Sequence, residues 1–195
     1  MKQRKSKVVR KTKETDITVE VNLDKSSAPS VSTSIGFLDH MLELFAVHSG
    51  IGFKIKASGD THIDDHHLVE DSGIAIGQAL KEAVSDKRGI ARYGHFLLPM
   101  DESLSYVALD FSGRFYLSYE ADITFRKKEF NYDLIQEFFY ALASNAGITL
   151  HIKMIKGRDN HHIAESIFKA FGRALGQAIA YSKSKKTVPS TKGIL

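Results

Sequence analysis

The sequence predicts an α+β fold made of two similar βαβα-type halves, with helices packed on one face of a sheet. Three observations predict it. Short segments that alternate apolar and polar residues, as half-buried strands do, interleave with longer segments whose apolar residues recur at helical spacing. The order of these segments repeats once along the 195 residues. The repeat also keeps residue identity at nearly fixed offsets, which marks an internal duplication.

In chain order, "ITVEVNLD" (17–24) alternates as a strand, and "SSAPSVSTS" (26–34) is a loop by composition. "GFLDHMLELFAVHSG" (36–50) places Phe37, Met41, Leu44 and Phe45 on one helical stripe, with Gly50 as its C-cap. "IGFKIKASG" (51–59) alternates as a strand, and Asp64 to about Val84 is a second helix opened by acids that suit a helix N-terminus. The later half runs in the same order. "SLSYVALDFSG" and "RFYLSYEADI" supply strands, "FNYDLIQEFFYALASNAG" (130–147) a helix, "ITLHIKMIKG" (148–157) a strand, and Asn160 to about Ser182 a long helix. Gly50/Gly147, Ile51/Ile148, Ile55/Ile152 and Lys56/Lys153 are offset by 97. His66/His161, His67/His162, Glu70/Glu165, Ala75/Ala170, Gly77/Gly172, Ala79/Ala174 and Leu80/Leu175 are offset by 95, so one loop differs by two residues. The predicted organisation is a first half at 1–89 with a basic N-terminal arm, a second at 90–182 and a C-terminal tail at 183–195, forming one compact unit.

Composition narrows the functional classes. Cysteine is absent, so disulfides, thiolate metal sites and cysteine nucleophiles are excluded, and any metal must be held by imidazole and carboxylate. No apolar run approaches the ~20 residues of a membrane span and no signal-peptide pattern follows Met1, so a cytoplasmic protein without a membrane partner is the expectation. The net charge of +4 hides an asymmetry: residues 1–13 carry seven Lys/Arg, and Lys183 to Lys192 carry four. Setting these 11 aside leaves 16 basic and 23 acidic residues, a body of −7. Basic ends read as solvated or anion-attracting segments. Without an aromatic-rich basic platform, nucleic acid is not the expected partner.

Chemistry concentrates in "DDHHLVED" and "DNHHIAES". On a helix, residues i and i+4 share a face while i+1 is turned by about 100°. His66 and Glu70 can therefore chelate one cation, as can His161 and Glu165, while His67 and His162 point elsewhere. Symmetry suggests that each helix grips one metal and lends its second histidine to the other. A fourth ligand can come from the first helix of each half, where His40 aligns with Glu137. A lone histidine at a helix start is usually a cap or a surface residue. Two HHxxE units related by duplication favour a pair of metal sites suited to Mn, Fe or Zn. Asp64, Asp65 and Asp159 are explained by helix capping, and Asp71, aligned with Ser166, breaks the repeat. His62, His95 and His151 have no assigned chemistry.

With these residues in place, the chain resembles the imidazoleglycerol-phosphate dehydratases of histidine biosynthesis. The resemblance covers nearly the whole chain, through "RKTKETDI", "GFLDHML", "DDHHLVED", "PMDESL", "DFSGR", "HHIAESIFKA" and "PSTKG" in the family's order. It implies two Mn²⁺ ions per active site, a homo-oligomeric shell of 24 subunits, and active sites shared between subunits. It carries metal ligation to His40, His66, His67, Glu70, His161, His162 and Glu165, and to Glu137 at a position often occupied by His. It carries phosphate binding to Arg92, Arg114, Lys169, Ser190, Thr191 and Lys192, with His48 lining the ligand region or simply complementing its helix dipole. The implied reaction removes water from imidazoleglycerol phosphate to give imidazole-acetol phosphate through a metal-bound imidazolate. Glu14 matches the substrate-contacting glutamate and is assigned one proton transfer. A ligand carboxylate, Glu70 or Glu165, or a metal-bound water is left for the other. A metal-stapled assembly protein, an RNA-binding domain and a metal-dependent phosphate-ester hydrolase are the rival readings; the first would need no convergent Arg92, Arg114 and Lys169.

Overall fold

The computed structural model describes residues 3–121, 123, 130–182 and 187–193. Residue 122 of the expected strand and residues 183–186 and 194–195 of the tail lie outside the described residues. Each half is a βββαβα unit. The first comprises β1 (Lys5–Lys11), β2 (Thr15–Asn22), β3 (Ser30–Ser32), α1 (Gly36–Ser49), β4 (Gly52–Gly59) and α2 (His66–Val84). The second comprises β5 (Tyr93–Met100), β6 (Ser103–Asp110), β7 (Tyr116–Glu120), α3 (Asp133–Ala146), β8 (Thr149–Lys156) and α4 (Asn160–Ile179). Each half forms its own four-stranded sheet, ordered β1-β2-β4-β3 and β5-β6-β8-β7, with its third strand parallel to its fourth.

Three strands were not evident from pattern alone. The basic N-terminal segment is β1, an edge strand paired residue for residue with β2. Its lysines and arginines suit an edge, where charge discourages pairing with other chains. Within the segment read as a loop, Ser30–Ser32 forms the short β3 beside β4. β5 carries Gly94 and Pro99, yet it pairs along its whole length with β6.

Buried residues alternate along β2 (Ile17, Val19, Val21), so one face of the sheet is greasy, and α2 covers it. The second half repeats this, with α4 against β5 and β6. The halves then meet helix to helix, α1 on α4 and α2 on α3. Small residues permit that approach: a Cβ on Gly77 would lie 2.5 Å from the Leu142 carbonyl oxygen, and one on Gly172 would lie 2.7 Å from that of Phe45. Phe45, Phe138, Phe139, Phe168 and Phe171 fill the centre of the helical layers. Partner positions advance together in both helix pairs, Gly73 to Gly77 against Phe138 to Leu142 and Gly172 to Gly176 against Phe45 to Ser49. Each pair is therefore parallel. Phe37 of α1 packs on Phe130 and Tyr132 just before α3, so all four helices begin at one end of the molecule. Both histidine pairs sit at that end.

Candidate metal centre

Repeated caps set the starts of α2 and α4. Asp64 accepts the backbone N–H of His66 at 2.8 Å, and Asp159 accepts those of His161 and His162 at 2.9 and 3.1 Å. Of the acids expected to cap, Asp64 and Asp159 do so, whereas Asp65, at the N-cap position of α2, makes no capping hydrogen bond. Asp71 is taken by Arg10 at 2.7 Å and by the hydroxyl of Thr15 at 2.5 Å, a polar anchor between α2 and the β1–β2 hairpin rather than a ligand.

At the start of α4, His161 Nε2 and His40 Nε2 each lie 2.9 Å from Glu165 Oε1. The two imidazoles stack with centroids 5.5 Å apart. Among the described residues these three form a group whose ligand atoms all lie within 4.8 Å of one another. Burial opposes the charge on Glu165, but hydrogen bonds from Lys169, His40 and His161 outweigh it and bring its carboxyl down to about 2. A carboxylate kept ionised beside two imidazoles is a donor set that fits a divalent transition cation. Lys169, one turn further on, holds Glu165 Oε2 at 2.5 Å and also approaches Met100.

The matching group on α2 is looser. His66 Nε2 and Glu70 Oε2 are 3.5 Å apart, and both side chains are nearly half exposed. Glu137 is exposed on α3 and joins no three-residue ligand group among the described residues. Its place in the repeat explains this. The offsets that bring His40 to Glu165 bring Glu137 to Glu70, where a second carboxylate is repelled instead of attracted. An open cleft of about 340 Å³ lined by Thr61, Asp64, Asp65, His66, Asn131 and Leu134 adjoins this group. A larger cleft of about 570 Å³, lined by Lys5, Lys7, Lys25 and Lys54 among others, contains no histidine.

The second histidine of each pair turns away from its neighbour, as helical geometry requires, and finds a carboxylate. His67 Nδ1 is 3.0 Å from Asp60 Oδ2 and 4.0 Å from Glu14 Oε2. His162 Nδ1 is 2.8 Å from Glu102 Oε2. The hydrogen bond to Asp60 raises the His67 pKa, and that to Glu102 raises the His162 pKa. Glu102 in turn is held well below the ordinary carboxylate range by His162 and by the backbone N–H groups of Asp159 and Arg158. Within one chain, then, His67 and His162 do not reach the opposite metal group. Asp60 and Glu102 escaped sequence reasoning because a carboxylate in a short loop looks like any solvated turn residue.

The expected phosphate residues fall into two places. Lys169 lies beside His48, whose pKa is lowered by burial and by the nearby Arg173 and Lys169. Arg92 sits at the far end of α4. Its guanidinium forks onto Asp110 at 2.6 and 3.0 Å and donates to the Pro189 carbonyl at 2.9 Å, tying it to the tail that carries Ser190, Thr191 and Lys192. Ser190 Oγ accepts the Lys192 N–H at 3.1 Å, folding this tail into a turn. Lys87, lowered by burial and by Lys81, Arg92 and Arg114, belongs to the same basic neighbourhood. Arg114 is exposed on the turn that follows β6.

Comparison with known proteins gives this arrangement its context. Residues 33–175 match the family model described as imidazoleglycerol-phosphate dehydratase. A protein of that name from Endomicrobium trichonymphae is 86% identical over 195 residues, with both chains covered completely. One from Desulforamulus reducens is 54% identical, again over the whole of both chains. The crystal structure of imidazoleglycerol-phosphate dehydratase from Staphylococcus aureus superposes with a TM-score of 0.82 at 42% identity, covering 91% of this chain and 99% of that one. A Pyrococcus furiosus structure superposes with a TM-score of 0.84 at 38% identity, covering 96% and 100%.

Proposed function

Since the chain belongs to the imidazoleglycerol-phosphate dehydratase family, it removes water from imidazoleglycerol phosphate to give imidazole-acetol phosphate in histidine biosynthesis, and we propose the following division of labour among its residues. His40, His161 and Glu165 hold one divalent cation, and His66 and Glu70 hold a second, with Glu137 joining them once positive charge offsets its repulsion from Glu70. Two bound cations, Mn²⁺ by the family's pattern, would supply the Lewis acidity that makes the substrate's imidazole N–H acidic.

The remaining contacts come from another copy of the chain. Distance supports this. The Arg92 backbone N–H donates to the Ala178 carbonyl, while Glu165 lies about 20 Å away at 1.5 Å per residue along α4. A three-carbon chain between imidazole and phosphate does not bridge that span. Arg92, Arg114, Ser190, Thr191 and Lys192 therefore meet the substrate phosphate across a subunit boundary, and His67 and His162 complete metal groups in the same way. A homo-oligomer of 24 subunits accommodates such sharing. Lys169, with His48 beside it, lies on the metal side and meets the same phosphate as a point charge.

Glu14, exposed at the tip of the β1–β2 hairpin near His67, carries one proton transfer. The other falls to Glu70. Glu70 is nearly half exposed, where substrate can reach it, whereas Glu165 is enclosed and already held by Lys169. The convergence of His40, His161 and Glu165 carries this reading. Its test is turnover of imidazoleglycerol phosphate after chelation, with and without restored Mn²⁺. Activity is expected to vanish and return; activity that survives complete metal removal refutes the metal assignment.

A further inference from the structure

The two hairpins of the duplicated halves share one register. Val19 of β2 pairs with Ile55, Val107 of β6 pairs with Ile152, and these are matching positions of the repeat. Lys11 faces Asp16 as Pro99 faces Leu104. Counting from these pairs, the tips Lys13–Glu14 and Asp101–Glu102 are equivalent, and Glu14 corresponds to Glu102.

The equivalent glutamates behave differently. Glu102 is fixed: Oε1 accepts from the Ser103 hydroxyl at 3.0 Å and from the N–H groups of Arg158 and Asp159 at 3.2 and 2.9 Å, and Oε2 meets His162 Nδ1 at 2.8 Å. Glu14 stands 4.0 Å from His67 with a half-exposed side chain, because Asp60 has taken the imidazole at 3.0 Å. Asp60 is mostly enclosed, its other oxygen is buried without a hydrogen bond, and its backbone N–H ties the loop to the Glu14 carbonyl. The second half has no such option. Its counterpart of Asp60 is Gly157, where a Cβ would fall 2.5 Å from Ile163 Cγ1 and 2.9 Å from Ser103 Oγ.

We propose that Glu102 and Asp60 are positioning residues that bind Nδ1 of His162 and His67, and so fix each ring in the orientation that leaves Nε2 free for a metal ion. Glu102 takes this place in the second half, where Gly157 leaves no room for a counterpart of Asp60. Asp60 released Glu14 to act on substrate. A carboxylate behind a ligating imidazole raises its basicity and holds its tautomer, and losing one weakens metal binding by about 10–100-fold.

The inference rests on the two-metal reading above, and direct metal binding separates the two. Free Mn²⁺ is counted by electron paramagnetic resonance during titration of the stripped, assembled protein. Glu102→Gln and Asp60→Asn are each expected to weaken part of the bound Mn²⁺ about 10–100-fold. Glu14→Gln, the same change at the matching hairpin tip, keeps wild-type affinity. Wild-type protein that binds no Mn²⁺ overturns the metal reading itself. Wild-type binding with unchanged affinity in both variants, or an equal loss in Glu14→Gln, overturns the positioning role alone. Should Glu102→Gln fail to assemble, since it also holds the loop before α4, Asp60→Asn decides by itself.

Discussion

Glu14 shows how much a single side chain's freedom matters. It lies on a turn of the first hairpin, its carboxylate approaches His67 without bonding to it, and more than half of its side chain is exposed. Glu165 has the opposite character, enclosed and held by three donors. A group that must move a proton needs the first environment, and a ligand needs the second. Glu14→Gln keeps the size and removes the ionisable group, so kcat should fall about 10²–10⁴-fold with KM and bound metal little changed. Steady-state kinetics with metal analysis decide it; wild-type kcat would return Glu14 to the status of a solvated turn residue. The sequence made the HHxxE spacing legible because four-residue separation has one geometric meaning on a helix. It could not reveal that Asp60 rather than Glu14 holds His67, since that choice depends on which loop folds over the ring.

The secondary-structure elements were readable where burial imposes a period. β2, β4, α1, α2, α3, β8 and α4 all carry one, and Gly50 and Gly147 end α1 and α3 with φ of 71° and 65° as left-handed caps. β1 was hidden because most of its exposed residues are lysines and its one other exposed residue, Val9, breaks the apolar–polar alternation, and β5 because Gly94 and Pro99 mimic a turn. Why α2 carries glycines within a helix became clear only from packing. Gly77 meets the Leu142 carbonyl and Asn145 of α3, so Gly77→Ala adds a methyl where helix backbones touch. It should cost about 1–3 kcal/mol, although alanine is the better helix former. Gly36→Ala, with nothing within 4 Å, should leave stability nearly unchanged. Denaturant midpoints of the two variants make the comparison, and equal midpoints would contradict the close-packing account.

At the scale of the molecule, the duplication was legible as offsets of 97 and 95, but the consequence for the site was not. Only the fold reveals that Arg92 and the tail tied to it lie at the opposite end of α4 from the metal group, while Lys169 stays beside Glu165. If the subunits share active sites, two inactive variants complement each other. Arg92→Ala and Glu165→Gln, each without turnover alone, should regain a measurable fraction when co-assembled, because some sites then draw both intact residues from different chains. Absence of recovery in verified mixed assemblies would place the whole site within one chain.

The chain also closes on itself. Arg4 reaches the Ile179 carbonyl at 2.5 Å and stacks over Tyr181, Ser182 donates to Gly89, and Gly89 donates to Thr187. The start of the first half, the end of the second and the link between them thus meet at one knot. The covalent link there is one fastening among several. A single proteolytic cut between Ser85 and Arg88 would leave both sheets, all four helices and the α1–α4 and α2–α3 seams intact, so the two fragments should remain together as a nicked protein. Either half alone would expose the apolar helix faces that the other now covers. The duplicated module is in this sense an obligate pair, and joining its copies in one polypeptide ensured that each was made with its partner.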